Sequence, residues 1–159
     1  MPRHQRTVQF LAIVAVWALL FFGCDDNPVN TNPSPYADME LEVYRLINAH
    51  RDSLGLDTLV WSETIAAQCR NHSNTMAATG DLNHDGFTDR ITTISQTIPT
   101  YNSAENVAYN RTAQGAVTSW LNSSGHKKNI EGNFTMTGIG VALRGSNTYY
   151  FTQIFINAK

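Results

Sequence analysis

"MTGIGVALRGSNTYYFTQIFIN", Met136 to Asn157, is the stretch that decides the fold. Two runs rich in β-branched, aromatic and small apolar residues flank "GSN", Gly145 to Asn147. Such runs across a short glycine-bearing turn read as a β-hairpin. In the second run Phe151, Gln153 and Phe155 alternate with Tyr150, Thr152, Ile154 and Ile156. Both alternating sets are largely apolar, so the sheet must be covered on both faces.

The covering layers have to come from upstream, where the apolar period changes from two to that of a helix. From Pro35 to Leu54, Met39, Val43, Leu46, Ile47 and Leu54 recur on one helical face. Ser34 and Pro35 suit the start of that helix. Gly55 suits a left-handed end, with Leu56 folding back as its apolar contact. A second helix is predicted from Ser62 to Thr79, ended by Gly80. Its inward face carries Ile65, Cys69, His72, Ser73 and Met76. On such a stripe Cys69 reads as a small core residue and His72 as a hydrogen-bonded core histidine. Asp81 to Ser103 reads as a long polar connection with a short helical turn near Asp89 to Ile94. "AENVAYN", Ala104 to Asn110, reads as a short strand, and Thr112 to Asn122 as a third helix with Ala116, Val117, Trp120 and Leu121 inward. Helices first, strands last and hairpin connectivity predict an α+β sandwich with an antiparallel sheet.

The first residues lie apart from this domain. Arg3 and Arg6 precede an apolar run, Phe10 to Phe22, that is short for a membrane span and suited to a secretory signal. The run ends in "FFGC", similar to a bacterial lipobox, with Phe21 where leucine is usual. Residues 1–23 are therefore expected to be a signal peptide and Cys24 the lipid-bearing residue. Residues 24–35 form a polar, Asn- and Pro-rich tether, and 36–159 the folded domain. Cleavage removes basic residues and no acidic ones, so acyl chains rather than charge would hold the protein to its membrane. Cys69 would be the only thiol left, which rules out a disulfide within the mature chain. With a formal net charge of -2 and no basic stripe, the chain does not read as a nucleic-acid binder.

No HExxH, paired CxxC, phosphate-binding glycine loop or GxSxG elbow is present. Three polar residues remain without a local explanation: His84 in "LNHDGF", Glu105 in "SAENVAY" and His126 in "SSGHKKNI". Two imidazoles and a carboxylate can ligate a metal, work as an acid/base set, or form a hydrogen-bonded cluster. "DLNHDGFTDRIT" also follows a calcium-loop pattern through Asp81, Asn83, Asp85, Gly86 and Asp89, but Thr92 stands where a bidentate glutamate belongs.

"NAHRDSLGLDTLVWSETI", "HSNTM", "NHDGFTDRI", "AENVAY", "WLNSSGHKKNI", "TGIGVAL" and "YYFTQIF" together resemble the CAP superfamily, also called the SCP or pathogenesis-related-1 domain, in its bacterial form. The resemblance runs from about Asn48 to Ile156 and implies an α-β-α sandwich. It also implies a cleft lined by His84, Glu105 and His126, with the Gly125 turn aiming the His126 ring inward. A second glutamate, frequent in the eukaryotic branch three residues after the helix tryptophan, is here Ser123, after Trp120. One carboxylate weakens any two-carboxylate mechanism. The expectation is a lipid-anchored protein of the bacterial cell envelope, extracytoplasmic, acting as a binding module for a lipid, glycan or peptide. A structural polar cluster ranks second and a metal-dependent hydrolase third. A divalent metal, zinc before calcium, is expected on His84, Glu105 and His126.

Overall fold

The structure is a computed structural model that describes Met1 and residues 34–159. The expected signal peptide beyond Met1, Cys24 and the tether as far as Pro33 lie outside the described residues. The elements are α1 (Ala37–Ser53), β1 (Val60–Trp61), α2 (Glu63–Thr79), α3 (Phe87–Ser95), β2 (Thr100–Asn110), α4 (Ala113–Leu121), α5 (Ser124–Ile130), β3 (Met136–Arg144) and β4 (Thr148–Ala158). Among the described residues no helix is long and apolar enough to cross a membrane.

The helix ends follow their sequence signals. Asp38 and Glu40 lie in the first turn of α1, and His50 and Arg51 in its last, complementing the helix dipole. Gly55, at φ 70°, lets the chain turn back. The Leu56 and Gly55 N–H groups then donate to the carbonyls of Arg51 and Asp52, closing the helix in a Schellman turn. Ser62 caps α2 by accepting from Ile65 N–H, and Gly80 ends it at φ 90°.

The sheet order is β1-β3-β4-β2. The hairpin β3–β4 and the pair β2–β4 are antiparallel, while the two residues of β1 run parallel to β3. The pleat of β4 divides its side chains between two layers. Phe151 and Phe155 pack with Val43 and Ile47 of α1 and with Val117 and Trp120 of α4. Ile154 and Ile156 pack with Ile65 and Cys69 of α2 and Ile94 of α3. Each fully buried side chain of this kind contributes about 1.5–3 kcal/mol. The α-β-α sandwich is thus the direct consequence of a central strand that is apolar on both sides. Cys69 is wholly buried, and burial pushes its thiol pKa far up, which makes it inert.

On the α2 face of β3 stand Gly138 and Gly140. A Cβ at Gly140 would lie 2.1 Å from the backbone nitrogen of Arg70, and one at Gly138 2.3 Å from that of Ala66. The absence of side chains lets α2 rest on the strand backbone. Beyond Trp61 the outer edge of β3 has no strand partner among the described residues, and Glu40 accepts the Val141 N–H there. Glu40 is buried and forked by Arg70, whose Nε lies 3.0 Å from both carboxylate oxygens. Arg51, also buried, has no such carboxylate fork. It donates to the carbonyls of Asp57, Ile130, Gly132 and Phe134, tying the end of α1 to the loop after α5. Burial lowers its pKa.

Several expectations are corrected. The second strand begins at Thr100, not Ala104, because the polar residues 100–103 still pair with β4. Glu105 therefore sits mid-strand rather than opening it. The short turn near Asp89 is a nine-residue helix, α3. β1 is too short to show alternation and was not legible. Leu54 caps α1 and is exposed rather than inward. His126 stands in helix α5, not in a loop, and Gly125 has no positive φ. The helix, held from β2, presents the histidine; a glycine turn does not.

Candidate functional site

The site is organised by two adjacent residues of β2. The pleat sends Glu105 towards α3 and Asn106 towards α5. Glu105 is gripped by Arg90 of α3: Nε lies 3.0 Å from Oε2, and Nη2 lies 2.9 Å from Oε1 and 2.6 Å from Oε2. Both side chains are buried, so this is a desolvated, bidentate ion pair. His84 Nδ1 lies 2.8 Å from Glu105 Oε1, with the ring about half exposed.

The backbone around His84 is fastened on both sides. His72, on the buried stripe of α2, lies with Nε2 2.9 Å from the Asn83 carbonyl, as a core hydrogen bond requires. Arg90 Nη1 donates to the Asp85 carbonyl at 2.7 Å. Gly86, at φ 72°, then turns the chain into α3.

Asn106 performs the matching task on the other face. Its Nδ2 donates to the His126 carbonyl at 3.1 Å, and its Oδ1 accepts from Asn129 Nδ2 at 2.8 Å. Asn129 Nδ2 also reaches the Glu105 carbonyl, at 3.3 Å. The His126 ring is half-buried. Burial lowers its pKa first, and the charge of His84 lowers it further. The two imidazoles thus lie within each other's field, on either side of one strand.

The structure brings His84 and Glu105 into contact and places His126 near His84. The three side chains do not share one set of contacts: Glu105 hydrogen-bonds to His84 and Arg90 and not to His126. Among the described residues no group of three or more His, Cys, Asp or Glu side chains is arranged to hold a metal ion, and that includes Asp81, Asp85 and Asp89 of the calcium-like loop. The donor set therefore does not fit a three-ligand zinc site, because Arg90 engages both oxygens of Glu105. The imidazoles are the donors that remain.

Two open clefts meet at Ser103. One, of about 400 Å³, is lined by Phe87, Thr88, Ile91, Thr92 and Ser95 of α3. The other, of about 360 Å³, is lined by Asn102, Ala104, Lys128, Asn129, Gly132, Asn133, Phe134 and Asn157.

The sequence model of CAP, the cysteine-rich secretory protein family, matches residues 44–155. The chain belongs to the CAP family. Its CAP relatives in Bacillus subtilis (strain 168) include the uncharacterized protein YkwD, 33% identical over 137 residues, with 82% of this chain and 51% of YkwD covered. The membrane protein YlbC is 31% identical over 124 residues, covering 74% of this chain and 34% of YlbC. The chain thus spans about half the length of one of these curated relatives and about a third of the other. Among solved structures, an extracellular protein with an SCP domain from Bacillus anthracis superposes with a TM-score of 0.65 at 27% identity, over 76% of this chain and 40% of that one. An outer surface protein of Borrelia burgdorferi gives 0.70 at 20% identity over 79% and 97%, a likeness of fold.

Within this CAP domain, sequence reasoning missed Arg90 and the two asparagines. Arg90 had a usable signal. It falls three residues after Phe87 and four before Ile94, a cation on an apolar stripe that demands a buried acid. Asn106 and Asn129 had none, since a buried amide is indistinguishable by type from an exposed one.

Burial also holds the His72 pKa below the usual 6.5. A base whose pKa is depressed on folding binds fewer protons than the unfolded chain, so its stabilising contribution is present above the unfolded value and lost as pH falls through the folded one. His126 acts in the same direction. Denaturant titrations at pH 7.5 and 5.5 should give lower unfolding free energy at pH 5.5, and His72→Gln should flatten the difference.

Proposed function

We propose that this CAP chain is an extracytoplasmic, lipid-anchored binding module that takes a polar ligand, a glycan or a peptide, in the clefts that share Ser103 of β2. The observation that carries the reading is the lining of the cleft next to α5. Four asparagines, Asn102, Asn129, Asn133 and Asn157, line it with Ser103 and Lys128 beside Ala104, Gly132 and Phe134, with no carboxylate among them. An acyl chain laid there would bury the polar groups that the described residues do not already pair, the Asn133 and Asn157 amides and the Lys128 ammonium, at about 1–3 kcal/mol for each amide. Hydroxyl or peptide groups would satisfy them. A divalent transition metal, zinc in the first place, enters this reading through His84 and His126, with the modest affinity expected of two imidazoles. An extracytoplasmic place is supported by the lipobox-like "FFGC" and by relatives described as extracellular and outer-surface proteins.

The hydrolase reading ranks behind, since Glu105 is held by Arg90 and Ser123 replaces the second carboxylate, which leaves no free general base. A purely structural cluster accounts for Arg90 and Glu105 but not for the half-exposed ring of His84.

Amide-shift mapping by NMR with soluble oligosaccharides, peptides and a fatty acid tests the ligand class. Shifts at Asn102, Asn129, Asn133 and Asn157 with a polar ligand are expected; binding of the fatty acid alone would overturn the reading. Titration calorimetry with zinc chloride should show binding to the wild type and its loss in both His84→Ala and His126→Ala, with circular dichroism unchanged. Turnover of a peptide library that depends on His126 would favour the hydrolase. Cys24→Ser should release the protein from the membrane fraction or block its processing; a processed, membrane-bound variant would mean a different anchor.

A further inference from the structure

We infer that Glu105 acts in the site as a positioning residue, locked by Arg90, which fixes the tautomer of His84 and is not itself a metal ligand. The inference starts from the hydrogen-bond inventory of the pair. A guanidinium has donors only and cannot be turned to accept. It fills both oxygens of Glu105 from one side, through Nε and Nη2. The carboxylate meeting it is acceptor-only, so the contact from His84 at 2.8 Å must come from a protonated Nδ1. With Nδ1–H spent on Glu105, the Nε2 lone pair is the one offered to the half-exposed side of the ring. His72 and Arg90 hold the carbonyls of Asn83 and Asp85, so the backbone that carries His84 is fixed before any ligand arrives. This is the outer-sphere carboxylate–histidine arrangement by which a ring is oriented. His126 has no such partner; it is placed through its backbone, by Asn106.

The affinity arm of the test rests on the proposed binding of zinc by the two imidazoles; the tautomer arm does not. In Glu105→Gln the single amide oxygen should stay with the Arg90 fork, where it meets two donors, and the amide NH2 should then face His84. His84 would have to accept at Nδ1 and carry its proton on Nε2. Long-range ¹H–¹⁵N correlation on the metal-free protein at pH 7.5 reads this directly. The wild type should show His84 protonated at Nδ1, and Glu105→Gln should show it protonated at Nε2. Zinc affinity, measured by competition with a chelating dye, should fall about ten- to a hundred-fold in Glu105→Gln. Arg90→Lys, which keeps the charge and loses the fork, should retain the wild-type tautomer in a folded protein if Glu105 remains the acceptor. A wild-type His84 protonated at Nε2, or a tautomer unchanged by Glu105→Gln, overturns the inference. So does a zinc loss in Glu105→Gln as complete as in His84→Ala, which would make Glu105 a ligand. A wild type that binds no zinc would sink the metal proposal alone, and the tautomers would still decide this one.

Discussion

Arg90→Leu should cost about 3–5 kcal/mol of unfolding free energy and lower Tm by about 10 °C or more. The leucine fills much of the volume but leaves Glu105 buried in β2 with only His84 beside it. A buried charge without its partner is the expensive case, because the desolvation of the carboxylate remains and the attraction that offset it is gone. The loop carbonyl of Asp85 loses its donor as well. An unpaired buried carboxyl has a raised pKa, so the deficit should shrink as pH is lowered and the group takes a proton. Arg90→Leu combined with Glu105→Leu should recover most of the loss, since two apolar side chains replace two charges. Urea unfolding of the wild type, both single variants and the double variant closes that cycle. A single-variant loss below about 1 kcal/mol would mean that the pair is solvated and behaves as a surface salt bridge.

Gly140→Ala should be comparably damaging, about 3 kcal/mol or more, although it adds one methyl group. That methyl would lie 2.1 Å from Arg70 N and 2.2 Å from Cys69 C. Both are backbone atoms of α2, so no side chain can rotate out of the way. The helix would have to lift from β3 and with it Ile65, Cys69 and Met76, which seal that face of the sheet. Gly125→Ala is the control: no atom lies within 4 Å of the added Cβ, and the backbone there is helical. It should leave stability unchanged or raise it by up to about 1 kcal/mol. Thermal unfolding of the two variants side by side decides whether close approach or loss of glycine flexibility matters at Gly140.

What the sequence made legible follows from how each feature is encoded. The hairpin, the two long helices and α4 are written in period, so Val43, Ile47, Ile65, Met76, Val117 and Trp120 could be assigned inward before any coordinates. Their caps are written in residue type, and Gly55 and Gly80 adopt the left-handed turns expected of them. The extent of β2 was not legible, because residues 100–103 are polar and form an edge whose pairing comes from β4 rather than from burial. The placement of α5 was not legible either. It is a short polar helix held by Asn106 and Asn129, and nothing in its own pattern announces it. In the site, residue type singled out His84, Glu105 and His126. Which of them touch was decided by the pleat of β2 and by Arg90, neither of which the spacing of the three residues can express.

The order of the sheet has a bearing on how the chain comes to be folded. β4 is the middle partner, paired with β3 on one side and with β2 on the other. β2 is made before it and among the described residues has no other strand to pair with. During synthesis the chain up to Gly145 therefore holds its helices, the two-residue pairing of β1 with β3 and a β2 without its partner, but not the sheet on which to lay the helices. The long-range pairings that close such a domain are slow to find and come late. Until β4 emerges, the apolar faces of α1, α2 and α4 have no central strand to cover, so the last strand made is the one that commits the domain to its fold.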